Sequence, residues 1–258
     1  MDTSIKLAVT GKGGVGKTTV SALLCRTFRD RGYTVIAVDA DPDANLASAL
    51  GFPEDVEIAP LVEMDELIEE RTGAKPGTSG SIFKLNPKVD DLPEKLWKEH
   101  DGVRLLRMGT VKKGGGGCIC PESTMLKNMI QNLLLFRKEA VLLDMEAGIE
   151  HLGRATAQAV DRLIVVVEPG KRSLETAFKI RELAEDIKLT KISVIANKVR
   201  DDEDKKFLEQ AAGGLDIVGF LPFDEKIVKA DMRRRPPWEL CPEALQAVAE
   251  MTEKFINP

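Results

Sequence analysis

Short apolar runs rich in β-branched residues recur along the chain, and each is followed by a stretch with helical periodicity. The runs predict strands at Ile5–Thr10, Thr34–Asp39, Val103–Met108, Ala140–Asp144, Arg162–Val167, Lys191–Asn197 and Ile217–Phe220. Several are apolar at successive positions rather than alternate ones, as strands covered on both faces are. The first helix is the clearest: Val20, Leu23, Leu24, Thr27 and Phe28 fall on one face, and Gly32 suits its carboxyl end. Strand and helix in alternation imply an α/β fold, with a mostly parallel sheet flanked by helices on both faces. Two stretches break the rhythm. Gly73–Asp101 carries Pro76, Gly77, Gly80, Pro87 and Pro93 and reads as an irregular excursion, while "CPEALQAVAEMTEKFINP" reads as a closing helix. Neither marks a boundary, and no repeat is visible, so residues 1–258 form one domain on this reading.

Charge and composition narrow the function. The net charge of −5 opposes a general nucleic-acid surface, which needs a broad basic face. Arg233–Arg235 is a dense basic run fit for a solvated loop or a local anion contact. The amino-terminal "MDTSIKLAVTGKGG" has no signal-peptide pattern, and the longest aliphatic run, Leu163–Val167, is too short to span a bilayer. The closing helix is not the basic amphipathic kind that lies on an anionic membrane. These features predict a cytoplasmic protein with neither membrane nor nucleic acid as partner. Its four cysteines then sit in a reducing compartment, where a CxC pair is better suited to a metal or redox site than to a structural disulfide.

"VTGKGGVGKTTV" sits between the first strand and the first helix and matches G-x-x-x-x-G-K-[ST] through Gly11, Gly16, Lys17 and Thr18. Backbone N–H groups of Gly11, Lys12, Gly13, Gly14, Val15 and Gly16 can turn inward around phosphate oxygens, with the helix dipole behind Lys17, Thr18 and Thr19. Lys17 is expected on the β- and γ-phosphates and the Thr18 hydroxyl on Mg²⁺. In "AVLLDMEAG", Asp144 ends an apolar strand as a Walker B carboxylate that holds Mg²⁺ through water, and Gly148 is placed to meet the γ-phosphate. Glu146 is odd here, since phosphates repel a carboxylate; the partner subunit and the metal site are the two directions open to it, and neither is favoured. In "VIANKVRD" the guanine-reading pattern fails because Arg200 stands where an acid is needed; Asn197, beside Lys198, can still pair with the N6/N7 edge of adenine. ATP and ADP are therefore expected rather than guanine nucleotides.

The second lysine, Lys12, makes "KGGVGKTT" similar to the deviant Walker A of the family containing MinD, ParA and the nitrogenase iron protein. The resemblance implies that Lys12 crosses a homodimer interface to the facing nucleotide; a lysine that adds phosphate affinity within its own subunit is the plainer alternative. It further implies that Asp39, in "VDADPDANL", belongs to the Mg²⁺ shell, that Asp41 positions the attacking water, and that Pro222, in "LPFDE", walls the adenine. By helix-capping logic alone, Asp43 fits the start of the next helix better than Asp41 does.

"KKGGGGCICPE" places Cys118 and Cys120 one residue apart, so an extended segment projects both to one side. Two thiolates half-fill a site for Zn²⁺, Cu(I), an iron–sulfur cluster or Ni²⁺, and two chains about a two-fold axis supply four. A buried apolar pair or a redox dithiol are the other readings. Cys25 and Cys241 read as packing residues, and His100 and His151 stand alone. With "DMEAGIEHLGR" and "VVVEPGKRSLETA", these motifs resemble CooC/AcsF-type ATPases, which mature nickel-containing carbon monoxide dehydrogenase or acetyl-CoA synthase. The likeness covers nearly the whole chain and implies a dimeric, slowly hydrolysing ATPase whose paired cysteines hold nickel or zinc for a client enzyme. An iron–sulfur carrier and a MinD/ParA-type positioning protein are the rival classes.

Overall fold

The computed structural model describes residues 4–76, 82–109, 121–132, 138–146 and 160–256. Its strands are β1 (Ile5–Thr10), β2 (Thr34–Ala40), β3 (Lys98–His100), β4 (Val103–Arg107), β5 (Glu139–Met145), β6 (Arg162–Val167), β7 (Ile192–Val199) and β8 (Ile217–Pro222). They form one eight-stranded sheet in the order β3-β4-β2-β5-β1-β6-β7-β8, parallel throughout except for β3. The central strands are buried along almost their whole length, which is why their sequences lack alternation.

Each face has its own apolar core. On one side lie α1 (Lys17–Asp30), the short α2 (Leu46–Ala49) and the closing helix, which follows β8 in the chain after two further helices. The other side is covered by α3 (Asp65–Thr72), α4 (Leu92–Leu96), α5 (Pro121–Asn132), α6 (Lys171–Asp186) and α7 (Asp202–Ala211). The helices after β8 are α8 (Glu225–Met232), α9 (Pro237–Leu240) and α10 (Pro242–Ile256). Val20, Leu23, Leu24, Thr27 and Phe28 of α1 are all buried, as the pattern predicts, and Cys25 lies among them. Gly32 follows the end of α1 with φ of 76°, donating its N–H to the Arg29 carbonyl at 2.8 Å.

The sheet departs from the predicted strands in one informative place. Within the excursion expected to be irregular, Lys98–His100 pairs antiparallel with β4. Lys98 and Glu99 are exposed, so no hydrophobic signal marks the strand. The signal is in the turn: Asp101 and Gly102 have φ of 45° and 74°, the primed geometry of a two-residue hairpin for which Asp-Gly is favoured. Arg26 and Arg29 of α1 clasp the Asp101 carboxylate and fix that edge to the helix layer. The other strands match the expectation, shifted by a residue or two at their ends. Among the described residues no helix is long and apolar enough to cross a membrane.

The closing helix docks on β8 through an absent side chain. A Cβ built on Gly219 would stand 2.5 Å from Cγ of Met251 and 2.8 Å from its sulfur. Gly219→Val is expected to lower stability by about 1–3 kcal/mol, the usual penalty of overpacking. Urea midpoints should show the penalty shrinking in a Met251→Ala background; equal penalties in both backgrounds would contradict this packing.

Candidate functional site

Parallel strands in one sheet end on the same edge, and side chains there converge. β1 lies between β5 and β6, with Val9 paired to Asp144 and Asp39 paired to the same Asp144 from the other side. The loop after β1, the Asp39–Asp41 turn after β2 and the Asp144–Glu146 turn after β5 therefore meet. Gly11–Thr19 wraps from β1 into α1, with Gly13 and Gly14 exposed at the rim and Val15 plugged into the core. Lys12 is half-buried, and among the described residues its ammonium has no carboxylate partner.

β7 holds this loop from the side. Asn197, buried, donates from Nδ2 to the Val15 carbonyl at 2.8 Å. The Lys198 ammonium donates to the Gly14 carbonyl and pairs with Glu168 Oε2 at 3.3 Å. Gly16 has φ of 95°, and a Cβ there would lie 2.3 Å from Asn197 Nδ2, so this approach demands glycine. Asn197 thus has a tethering task that sequence reasoning did not foresee, beside the base contact expected of it. Pro222 ends β8 exposed on the same edge, with Phe223 donating its N–H to the Val199 carbonyl at 2.9 Å.

Lys17 is 8 % exposed and its Nζ stands 3.6 Å from Asp41 Oδ2. The other oxygen of Asp41 accepts the Asp43 N–H at 3.0 Å. Asp39, not Asp43, satisfies the start of α2: its Oδ2 accepts the Leu46 N–H at 3.1 Å and its Oδ1 the Asp41 N–H at 3.3 Å. The capping expectation for Asp43 is thereby corrected, because a buried acid from the strand reaches the orphan N–H first. Asp144 Oδ1 accepts the Ser21 hydroxyl at 2.9 Å, whereas its Oδ2 is buried without a hydrogen-bond partner. Ser21 follows Lys17 by one helical turn, and a serine on an otherwise apolar face was the signal for it.

Burial, followed by the charge of Asp144, pushes the Asp39 carboxyl up to about 7. Burial likewise raises Asp144 to about 6, against the lowering effects of the Thr18 and Ser21 hydroxyls and of Lys17. Carboxylates so placed call for a cation. The bare Oδ2 of Asp144, the Thr18 hydroxyl and the neighbouring Asp39 are hard oxygen donors of the kind Mg²⁺ takes, so the residues fit that ion. Among the described residues no group of three or more His, Cys, Asp or Glu is gathered to hold a metal unaided. Cys118, Cys120, Gly148 and His151 lie outside the described residues. The Glu146 carbonyl accepts the Thr10 hydroxyl at 2.9 Å, which ties the end of β5 to that of β1.

Since both acids bind protons more tightly in the native state than their unfolded value near 3.9, the folded protein carries extra protons between about pH 4 and 7. Nucleotide-free stability should therefore fall as pH rises through that window. Asp144→Asn is expected to flatten the fall, raise nucleotide-free stability at pH 8 by about 1–2 kcal/mol and abolish the Mg²⁺-dependent stabilisation by ATP. Thermal melts at pH 5 to 8 check this; a variant less stable than the parent at pH 8 would contradict it.

Residues 6–238 match the CobQ/CobB/MinD/ParA nucleotide binding domain. The carbon monoxide dehydrogenase accessory protein CooC of Rhodospirillum rubrum is 48 % identical over 92 % of this chain and 91 % of its own. An uncharacterized ATP-binding protein of Methanocaldococcus jannaschii is 49 % identical over 90 % of each. Among solved structures, the MinD cell division protein of Aquifex aeolicus superposes with a TM-score of 0.71 at 20 % identity, covering 98 % of this chain and 97 % of its own. With a mostly parallel sheet, a phosphate loop closed on Asn197 and carboxylates beneath it, the chain belongs to the MinD/ParA family of P-loop nucleotide-binding proteins, in the group that includes CooC.

Proposed function

We propose that this protein is an ATP-dependent metallochaperone that binds nickel, or zinc at rest, through Cys118 and Cys120 at a homodimer interface. Its client on this reading is a nickel-containing carbon monoxide dehydrogenase or acetyl-CoA synthase. The observation that carries the proposal is near-half identity to CooC along almost the entire length of both chains. The cysteine pair, at the spacing soft-metal ligands use, supports it.

The chain's own residues supply a hydrolytic cycle. Entering phosphates compete with Asp41 for the Lys17 ammonium, since a phosphate offers that cation more charge than one carboxylate at 3.6 Å. Asp41, released, can accept a proton-bearing water and aim it at the γ-phosphate. Asp39, Asp144 and Thr18 would hold Mg²⁺, which neutralises charge on the transferring phosphoryl group when bound. Lys12, lacking a carboxylate partner among the described residues, would reach the nucleotide of the facing subunit, and binding of ATP would then close the dimer. Asn197 and Pro222 would set the preference for adenine.

The cysteine segment runs between a strand end tied to the nucleotide site and a helix packed in the core. The Met108 N–H donates to the Asp39 carbonyl at 2.8 Å, so the strand leading to Cys118 is tied to the metal-shell strand. Past Cys120 the chain enters α5, whose Met125 and Met129 are buried in the core under the sheet. A shift at Asp39–Asp41 is thus felt at one end of the segment while the other stays fixed.

Metal analysis of anaerobically purified protein tests the proposal: about one nickel or zinc per two chains, falling several-fold with Cys118→Ser or Cys120→Ser while ATP binding persists. Iron with sulfide in a brown sample would favour the iron–sulfur carrier instead. Lys12→Ala is expected to keep ATP binding within about threefold yet lose ATP-driven dimerisation in sedimentation velocity runs; a variant that still dimerises would assign Lys12 to its own subunit.

A further inference from the structure

Behind the Asp39–Asp41 turn lies a cavity of about 110 Å³, lined by Asp39, Ala44, Ala47, Leu105, Ile58 and Arg107, with Val56 at its side. A single water needs only about 10–15 Å³ measured this way, so the space holds a small polyatomic ion. Its walls are apolar but for two side chains, Asp39 and Arg107. These occupy paired positions on β2 and β4, and so project from the same face of the sheet. The Arg107 Nε is buried without a hydrogen-bond partner, and among the described residues its guanidinium makes no ion pair within 4.0 Å. A buried Nε–H left bare beside a roomy cavity is costly unless something enters to accept from it.

The geometry points to a second oxyanion site in this cavity, one that takes inorganic phosphate, the product released next door if the site hydrolyses ATP as proposed above. Arg107 would donate to the oxyanion oxygens. Phosphate, a compact oxyanion with several acceptor oxygens, suits that donor and the size of the cavity.

Protein saturated with Mg²⁺ and ADP, so that the phosphate loop is filled, is titrated with sodium phosphate or sodium chloride at matched ionic strength, reading the melting temperature. Phosphate should raise it and chloride should not. Arg107→Met should weaken the phosphate response at least about tenfold, the scale of a lost charge-assisted hydrogen bond, and Arg107→Lys should keep part of it. Ala47→Leu fills the cavity without touching the guanidinium and should also remove the response, which guards against a folding defect in the arginine variant. In steady-state assays phosphate inhibition of ATP hydrolysis should vanish in Arg107→Met while ADP inhibition stays. Equal protection by chloride, or undiminished phosphate affinity in both variants, overturns the site. A parent that binds phosphate but never turns over ATP would sink the hydrolytic reading and leave the cavity's ligand standing.

Discussion

Two carboxylates on neighbouring strands, Asp39 and Asp144, lie buried side by side at the carboxyl edge of the sheet. Unit charges about 5 Å apart, the spacing of adjacent strands, repel by roughly 3 kcal/mol at an effective dielectric near 20. The fold accepts that repulsion because it surrounds the pair with donors: two backbone N–H groups on Asp39, a serine hydroxyl on Asp144, and the Lys17 ammonium nearby, already facing Asp41. One oxygen of Asp144 is left bare. Without a cation the pair holds protons more tightly than free acids do, and a divalent cation with phosphates would replace them.

The same strands carry the consequence outward. Asp39 accepts N–H groups from the turn and helix that follow it, and its carbonyl accepts the Met108 N–H at the end of β4. On the proposed function, a change in the charge at Asp39 would pass through these backbone hydrogen bonds toward the segment that bears the cysteines. Such coupling would have to run both ways, so that a metal on the cysteines would bias the nucleotide site by an equal free energy.

Much of this was legible in the sequence because its signals are local. The phosphate loop is contiguous, its lysine and threonine open a helix of unmistakable period, and Asp39 and Asp144 each end an apolar run. What escaped depends on contacts across the fold. Asn197 tethering the Val15 carbonyl links residues far apart in the chain, and neither residue type announces it. Asp39 displacing Asp43 as the partner of the Leu46 N–H required knowing how the turn folds back. β3 was missed for a different reason: its residues are polar and exposed, and only the Asp101-Gly102 turn gives it away. Arg107 sits in an ordinary strand pattern, and its importance appears only when β2 lies beside it.

Native mass spectrometry of the metal-loaded protein with Mg²⁺ and a non-hydrolysable ATP analogue tests the central claim most directly. The account predicts a species of two chains carrying two nucleotides and one metal ion. Chains that remain single with nucleotide and metal both bound would contradict it.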